Sequence, residues 1–469
     1  MMKIYNTLTR RIEALQPQNT PLVTIYTCGP TVYDYSHVGH WFTYVRWDLL
    51  VRTLKASDLQ PKWVMNITDV GHLVSDADEG EDKLEKGAKR EGKTAWEVAK
   101  FYTDDFIRGM QELNMLMPNE LPRATDHITE QINLIQQLEA KGFTYIVDDG
   151  VYYDTSKFPA YADFAKLDLE ELQAGARVEL NTQKRNPADF ALWKFSPKDR
   201  TRDMEWDSPW GKGFPGWHIE CSAMSMKYLG DTLDIHAGGI DHIPVHHTNE
   251  IAQSEPVTGK PFSNLWMHSN HVLVNGDKIS KSLGNGIRLD ELAEKGFSPQ
   301  VVRLHILESH YRSQSKFSYD SLEAAKNRLQ ALQAMADLRW QIREAGDEYA
   351  GPDYTEYQRT MLAALQNDLD TPKALAALSG AEAGSSNPIV DFDGTAQEFR
   401  DFLQFVDDAL GLSLLTSKDI TPEQKQLIAD REQARTAKDW ARSDQLRDQL
   451  ASAGIAVRDT PFGSVWSRA

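Results

Sequence analysis

The stretch Leu22-Val23-Thr24-Ile25-Tyr26-Thr27-Cys28-Gly29-Pro30-Thr31-Val32-Tyr33-Asp34-Tyr35-Ser36-His37-Val38-Gly39-His40 decides the reading of this chain. Leu22 to Thr27 is a β-rich apolar run that stops at Cys28-Gly29-Pro30. After His40 the apolar residues recur at helical spacing through Tyr44, Trp47, Leu49 and Leu50. Strand, loop and helix in that order open an α/β nucleotide-binding sheet. Between strand and helix stands His37-Val38-Gly39-His40. Two imidazoles there, with Gly39 letting a phosphate or an adenine approach the backbone, can hold a nucleotide at a helix N-terminus.

Further strands are expected at Trp63–Thr68 and Thr232–His236. Residues of about 115–200, with hairpin-like pieces at Gly142–Tyr145 and Val151–Tyr153, read as an insertion between two halves of the sheet. From about Leu322 the chain is rich in Ala, Leu, Gln and Arg at helical periodicity. Gly384 to Pro388 marks a flexible connection. A last helix starts at Thr421-Pro422-Glu423-Gln424, where cap, first-position proline and capping-box glutamine follow in order. It should run until Gly454 and be followed by a strand-like tail through Val457 and Trp466. The expected divisions are 1–320, 321–415 and 416–469.

At 469 residues the chain exceeds what one core usually serves. Hydrophobic residues make up 41% and charged residues 26%, an ordinary globular balance. No run reaches the ~18 apolar residues of a membrane span. The N-terminal residues carry no signal-peptide core, so the expected compartment is the cytoplasm. Two cysteines, Cys28 and Cys221, suit a reducing compartment. The net charge of −18 argues against non-specific nucleic-acid binding. From Ser417 to Ala469, however, nine Lys/Arg meet eight Asp/Glu, leaving the remainder at −19. Asp76, Asp78, Glu79, Glu81 and Asp82 are read as a solvated acidic loop.

A second motif, Gly276-Asp277-Lys278-Ile279-Ser280-Lys281-Ser282-Leu283-Gly284-Asn285, sets two lysines on a Gly- and Ser-bracketed loop. Lys278 and Lys281 can clamp a triphosphate and neutralise charge developing on departing pyrophosphate. In this order and separation the two motifs resemble the signature pair of the class I aminoacyl-tRNA synthetases. Over nearly its full length the chain is similar to the cysteinyl-tRNA synthetase family. The resemblance is carried by Tyr26–Asp34, Asn66–Asp69, Arg185–Phe190, Pro215–Met224, Asp234–His236, His246–Glu250, Ser309–Ser313, Asp368–Leu375 and Ala437–Ala441.

The resemblance implies a Rossmann-like parallel-sheet catalytic domain with a connective insertion, then a helical tRNA-binding bundle and a small α+β anticodon-recognition subdomain. It implies ATP-dependent charging of tRNA(Cys) with L-cysteine by a cytoplasmic, monomeric enzyme using the Mg2+ complex of ATP. His37, His40, Lys278 and Lys281 would be catalytic. Gly29, Thr31, His37, Gly39, His40 and Lys281 would hold ATP, and Thr68, Trp217, His236 and Asp241 would surround the cysteine. One Zn2+ would be held by Cys28, Cys221, His246 and Glu250. Two thiolates, an imidazole and a carboxylate are ordinary zinc ligands. His246 and Glu250, four apart, share one face of a helix; His247 lies near that face as well, and the family pattern favours His246. A metal that takes a soft thiolate far better than a hydroxyl separates cysteine from serine, which a shape-based pocket does by only ~100-fold.

Three positions depart from the family pattern: Val70-Gly71-His72 leads into a longer acidic loop, Ile279 stands where methionine is usual, and Ile240 precedes Asp241. Two other readings are a ligase joining cysteine to an amino sugar, and a non-catalytic RNA-binding or cysteine-sensing paralogue. The first lacks a full tRNA-binding C-terminus, whereas 150 residues follow Tyr319 here. The second normally lacks a signature or zinc residue, and none is missing.

Overall fold

A computed structural model describes residues 1–71, 82–167, 183–199, 201–274, 277–279, 286–344, 352–391 and 395–468. Leu22–Thr27 forms the expected strand, with Val23, Ile25, Tyr26 and Thr27 wholly shielded from solvent. Burial on both faces explains why its sequence does not alternate. It lies in a four-stranded parallel sheet ordered Ser263–Ser269, Leu233–Gly239, Leu22–Thr27, Gln60–Met65. Helix Val38–Ala56 connects Leu22–Thr27 to Gln60–Met65, and helix Thr248–Thr258 connects Leu233–Gly239 to Ser263–Ser269. The two crossovers lead to opposite edges of the sheet. The C-terminal ends of Leu22–Thr27 and Leu233–Gly239 therefore flank a topological switch point, where α/β sheets bind ligands. Cys28 follows one of these strands directly, and Ile240 the other.

The helix begins at Val38, so His37-Val38-Gly39-His40 is its cap and first turn rather than a loop. The strands expected at Trp63–Thr68 and Thr232–His236 are observed at Gln60–Met65 and Leu233–Gly239. A four-stranded antiparallel sheet is built from Thr144–Val147, Gly150–Tyr153, Phe190–Phe195 and Gly213–Pro215 in that order. Its last strand leads into helix Trp217–Leu229 through Gly216, where a Cβ would lie 2.0 Å from the Ala191 carbonyl oxygen. That close approach delivers Cys221 to the sheet from the insertion.

The acidic stretch needs correction at Asp82. Its side chain is buried, caps helix Lys83–Glu91 by accepting from the amides of Leu84 and Glu85, and pairs with buried Arg202. Asp76, Asp78, Glu79 and Glu81 lie outside the described residues.

Two compact units emerge: Met1–Leu292 with Tyr311–Lys316, and Ala293–His310 with Phe317–Ala469. Helices dominate the second, the longest being Tyr319–Asp337, and a hairpin of Ile455–Thr460 and Gly463–Arg468 ends it. The hairpin is anchored by Gln341, which exchanges bonds with the Trp466 backbone at 2.9 and 3.0 Å, and by Arg468 on the fully buried Asp337 at 3.0 Å. The single helix expected from Thr421 is two, Pro422–Thr436 and Trp440–Ser452, broken at Lys438 with φ of 60°. No helix among the described residues is long and apolar enough to cross a membrane.

Candidate active site and metal centre

A cleft of about 370 Å³ opens at the switch point. Its walls include Cys28, Gly29, Thr31, His37, Gly39, His40, Thr68, Trp217, Cys221, Asp241 and His246. Segments far apart in sequence therefore converge on one cavity: most follow a strand of the parallel sheet, and Trp217 and Cys221 come from the helix after the antiparallel sheet.

At the helix start the rings of His37 and His40 stack with centroids 3.7 Å apart, and the His37 amide donates to His40 Nδ1 at 3.1 Å. A Cβ on Gly39 would come within 3.1 Å of both the His37 ring and Ile279 Cδ1. The bare glycine keeps this corner open and lets the second motif pack against the first. Lys278 lies in a short strand pairing with Leu273 and Val274, and Lys281 lies outside the described residues. Gly29 meets the opposite wall: a Cβ there would sit 1.7 Å from the Asn66 carbonyl oxygen. Backbone pairing of Val32 N with Thr68 O and of Thr68 N with Pro30 O zips these two segments together.

Deeper in the same unit is a cluster of buried acids and imidazoles. Cys28, Cys221, His246 and Glu250 offer donor atoms that all lie within 4.8 Å of one another. So do Cys28, His236, His247 and Glu250. The rivalry between His246 and His247 has a structural origin. Ile243–His247 forms a π-helical turn ahead of helix Thr248–Thr258, a wide turn that recurs at functional sites. Both imidazoles lie within 3.8 Å of the Glu250 carboxylate, His246 Nε2 at Oε1 and His247 Nε2 at Oε2, as i,i+4 and i,i+3 neighbours on one face. The second nitrogen of each ring is engaged, His246 Nδ1 with His218 Nδ1 at 2.9 Å and His247 Nδ1 with His268 Nε2 at 2.8 Å. Such outer partners fix ring orientation at metal centres.

Burial pushes the Cys28 thiol and the Glu250 carboxyl well above their ordinary pKa ranges, and Cys221 upward too. It drives His236 down to about 3 and holds His247 and His268 well below the usual imidazole range. Three acids and several uncharged imidazoles share this space, and Glu250 Oε1 is buried with no hydrogen-bond partner among the described residues. Both observations fit a cation, whose charge offsets the burial of thiolates and carboxylate.

Of the expected cysteine-pocket residues, Thr68, Trp217 and Asp241 line the cleft. Trp217 packs on His246 with ring centroids 4.6 Å apart. Asp241 is largely exposed and lies 3.3 Å from His271 Nδ1. His236 is placed differently: it is wholly buried behind the cleft, 2.9 Å from Glu250 Oε2 and stacked on Trp266. Sequence reasoning gave no role to His218, Glu220, Asn66 or His268. The first three stand inside motifs already singled out; His268 had no local signal.

The family described as the class I (C) tRNA synthetase catalytic domain matches residues 14–327, and the cysteinyl-tRNA ligase anticodon-binding domain matches residues 417–466. A cysteine–tRNA ligase of Burkholderia lata is 44% identical over 98% of this chain and 96% of its own length. Those of Thermus thermophilus and Treponema denticola are 42% and 41% identical, each across at least 98% of both chains. Among solved structures, a Mycobacterium tuberculosis methionyl-tRNA synthetase in complex with methionyl-adenylate shares the fold, with a TM-score of 0.58 at 14% identity, covering 84% of this chain and 92% of that one.

Proposed function

We infer the function from one premise: this chain belongs to the cysteine–tRNA ligase family of class I tRNA synthetases. It activates L-cysteine with ATP and transfers it to the 3′ end of tRNA(Cys). The observation that carries the assignment is the joining, in one cleft, of the stacked His37–His40 pair with the buried Cys28/Cys221/His246/Glu250 set.

In the activation step the cysteine carboxylate attacks the α-phosphorus of ATP, pyrophosphate leaves, and no covalent bond to the protein is needed. His37, His40 and the first-turn amides of helix Val38–Ala56 stabilise charge on the phosphate oxygens. Gly29, Thr31 and Gly39 line the nucleotide end of the cleft. Lys278 and Lys281, with Mg2+, neutralise the departing pyrophosphate. Asp241 takes the substrate ammonium, Thr68 and Trp217 border the cysteine, and His236 acts from behind by orienting Glu250. Cys28, Cys221, His246 and Glu250 would hold one Zn2+ per chain, which would supply a soft site that favours a thiolate over a hydroxyl. The tail of residues 416–469 reads the anticodon.

The same reading makes the protein a cytoplasmic monomer. The match of residues 417–466 to an anticodon-binding domain disfavours the amino-sugar ligase. Cysteine-dependent exchange of pyrophosphate into ATP is the test: exchange with cysteine and at least ~100-fold less with serine is expected. Absence of exchange, or equal exchange with serine, overturns the assignment. A Cys221→Ser protein that kept full zinc content would remove the metal role alone.

A further inference from the structure

Glu220 and Asn66 belong to no role so far assigned, yet they join the two arms that carry the cysteines. The Gly29 amide, next to Cys28, donates to Asn66 Oδ1 at 2.8 Å. Asn66 Nδ2 donates to Thr68 Oγ1 at 3.0 Å, and Thr68 Oγ1 donates to Glu220 Oε2 at 3.0 Å. Glu220 is the residue before Cys221. All three side chains are buried. The chain of bonds therefore runs from the neighbour of one thiol to the neighbour of the other, across the floor of the cleft that Thr68 lines.

The direction of the bonds carries information. A threonine hydroxyl has one proton and two acceptor positions. Glu220 takes the proton and Asn66 fills one acceptor position, so towards the cleft Thr68 offers only an acceptor. A substrate group meeting Thr68 must then be a donor.

We propose that Glu220 is a positioning residue: acting through Thr68 and Asn66, it fixes the spacing of the Cys28 and Cys221 arms and sets Thr68 as an acceptor towards the substrate. This role rests on the metal-centre reading given above. Outer partners of metal ligands typically alter metal affinity by ~10–100-fold.

The test substitutes cobalt for zinc in the full chain and follows the visible cobalt–thiolate absorption together with zinc affinity by competition with a chelator. Glu220→Ala is expected to shift and weaken the cobalt bands and lower zinc affinity ~10–100-fold. Glu220→Gln keeps an oxygen that can accept from Thr68 and is expected to restore both. Thr68→Val, which breaks the same chain at its middle without touching Glu220, is expected to reproduce the alanine spectrum and covers the case in which Glu220→Ala does not fold. Unchanged spectra and affinity in Glu220→Ala or Thr68→Val overturn the role, as does a Glu220→Gln protein as impaired as the alanine variant. A wild-type protein with no cobalt–thiolate absorption overturns the metal centre itself and this role with it, an outcome no variant spectrum can mimic.

Discussion

Asp69, the residue after Thr68, accepts from Thr125 N at 2.9 Å and from Thr125 Oγ1 at 2.7 Å. Burial still lifts its pKa to about 6, with the two Thr125 bonds pulling the other way. Its folded pKa thus exceeds the ordinary 3.8, so the folded chain holds more protons than the unfolded one between these values. Stability contributed here is complete below the lower value and is lost as pH rises towards 6. Asp69→Asn should remove that pH dependence, roughly 1–3 kcal/mol in total between the two values, measured as urea unfolding free energy at a series of pH values. At this scale the candidate site was half legible. Cys28, His37, His40, Thr68 and Cys221 lie in stretches whose composition is chemically specific. Asp69, Glu220 and His218 act through partners 56, 152 and 28 residues away, and no local pattern encodes such pairings.

Two elements departed from their expected form, each for a local reason. The expected helix from Thr421 keeps its capping box, with Thr421 Oγ1 accepting from Gln424 N and Gln424 Oε1 accepting from Thr421 N. It breaks at Ala437-Lys438-Asp439, where the Asp439 amide returns to Ala434 O and its side chain accepts from Arg442 N, starting a new helix. An aspartate cap inside a helical pattern reads from sequence as one more polar residue. Lys438 takes the left-handed conformation at φ of 60°, which costs a side-chain-bearing residue ~1–2 kcal/mol. Lys438→Gly should therefore raise stability by about 1 kcal/mol, while Lys438→Ala changes it little; calorimetric melting distinguishes the two. The π-helical turn Ile243–His247 is the second departure. Its side-chain bond from Thr248 Oγ1 to Ile243 O, at 2.8 Å, spans the wide turn. His246 and His247, four and three residues before Glu250, both lie against its carboxylate, as i,i+4 and i,i+3 neighbours on a helix do.

On the scale of the whole molecule, all the proposed metal ligands lie in the unit Met1–Leu292 with Tyr311–Lys316. A ligand that binds only the folded state stabilises by ~2.7 kcal/mol at a hundredfold excess over its Kd. Zinc is expected to slow amide hydrogen exchange in Leu22–Thr27, Trp217–Leu229 and Thr248–Thr258 and to leave Thr395–Leu410 and Pro422–Thr436 unchanged. Mass spectrometry of the zinc-loaded and chelator-treated protein reads this directly, and uniform protection of both units would contradict it. The sequence by itself determined the central strand, the two nucleotide-end motifs and the family, because each is written in contiguous residues whose propensities and side-chain chemistry are local. Only the tertiary structure decided that Cys28, Cys221, His246 and Glu250 share a buried space, that His236 stands behind Glu250 rather than at the cleft wall, and that Glu220 and Asn66 tie the two cysteine arms together. Those facts depend on which segments the parallel sheet brings to its C-terminal edge, and on the burial that follows. Burial is a property of the assembled fold, not of any residue in the chain.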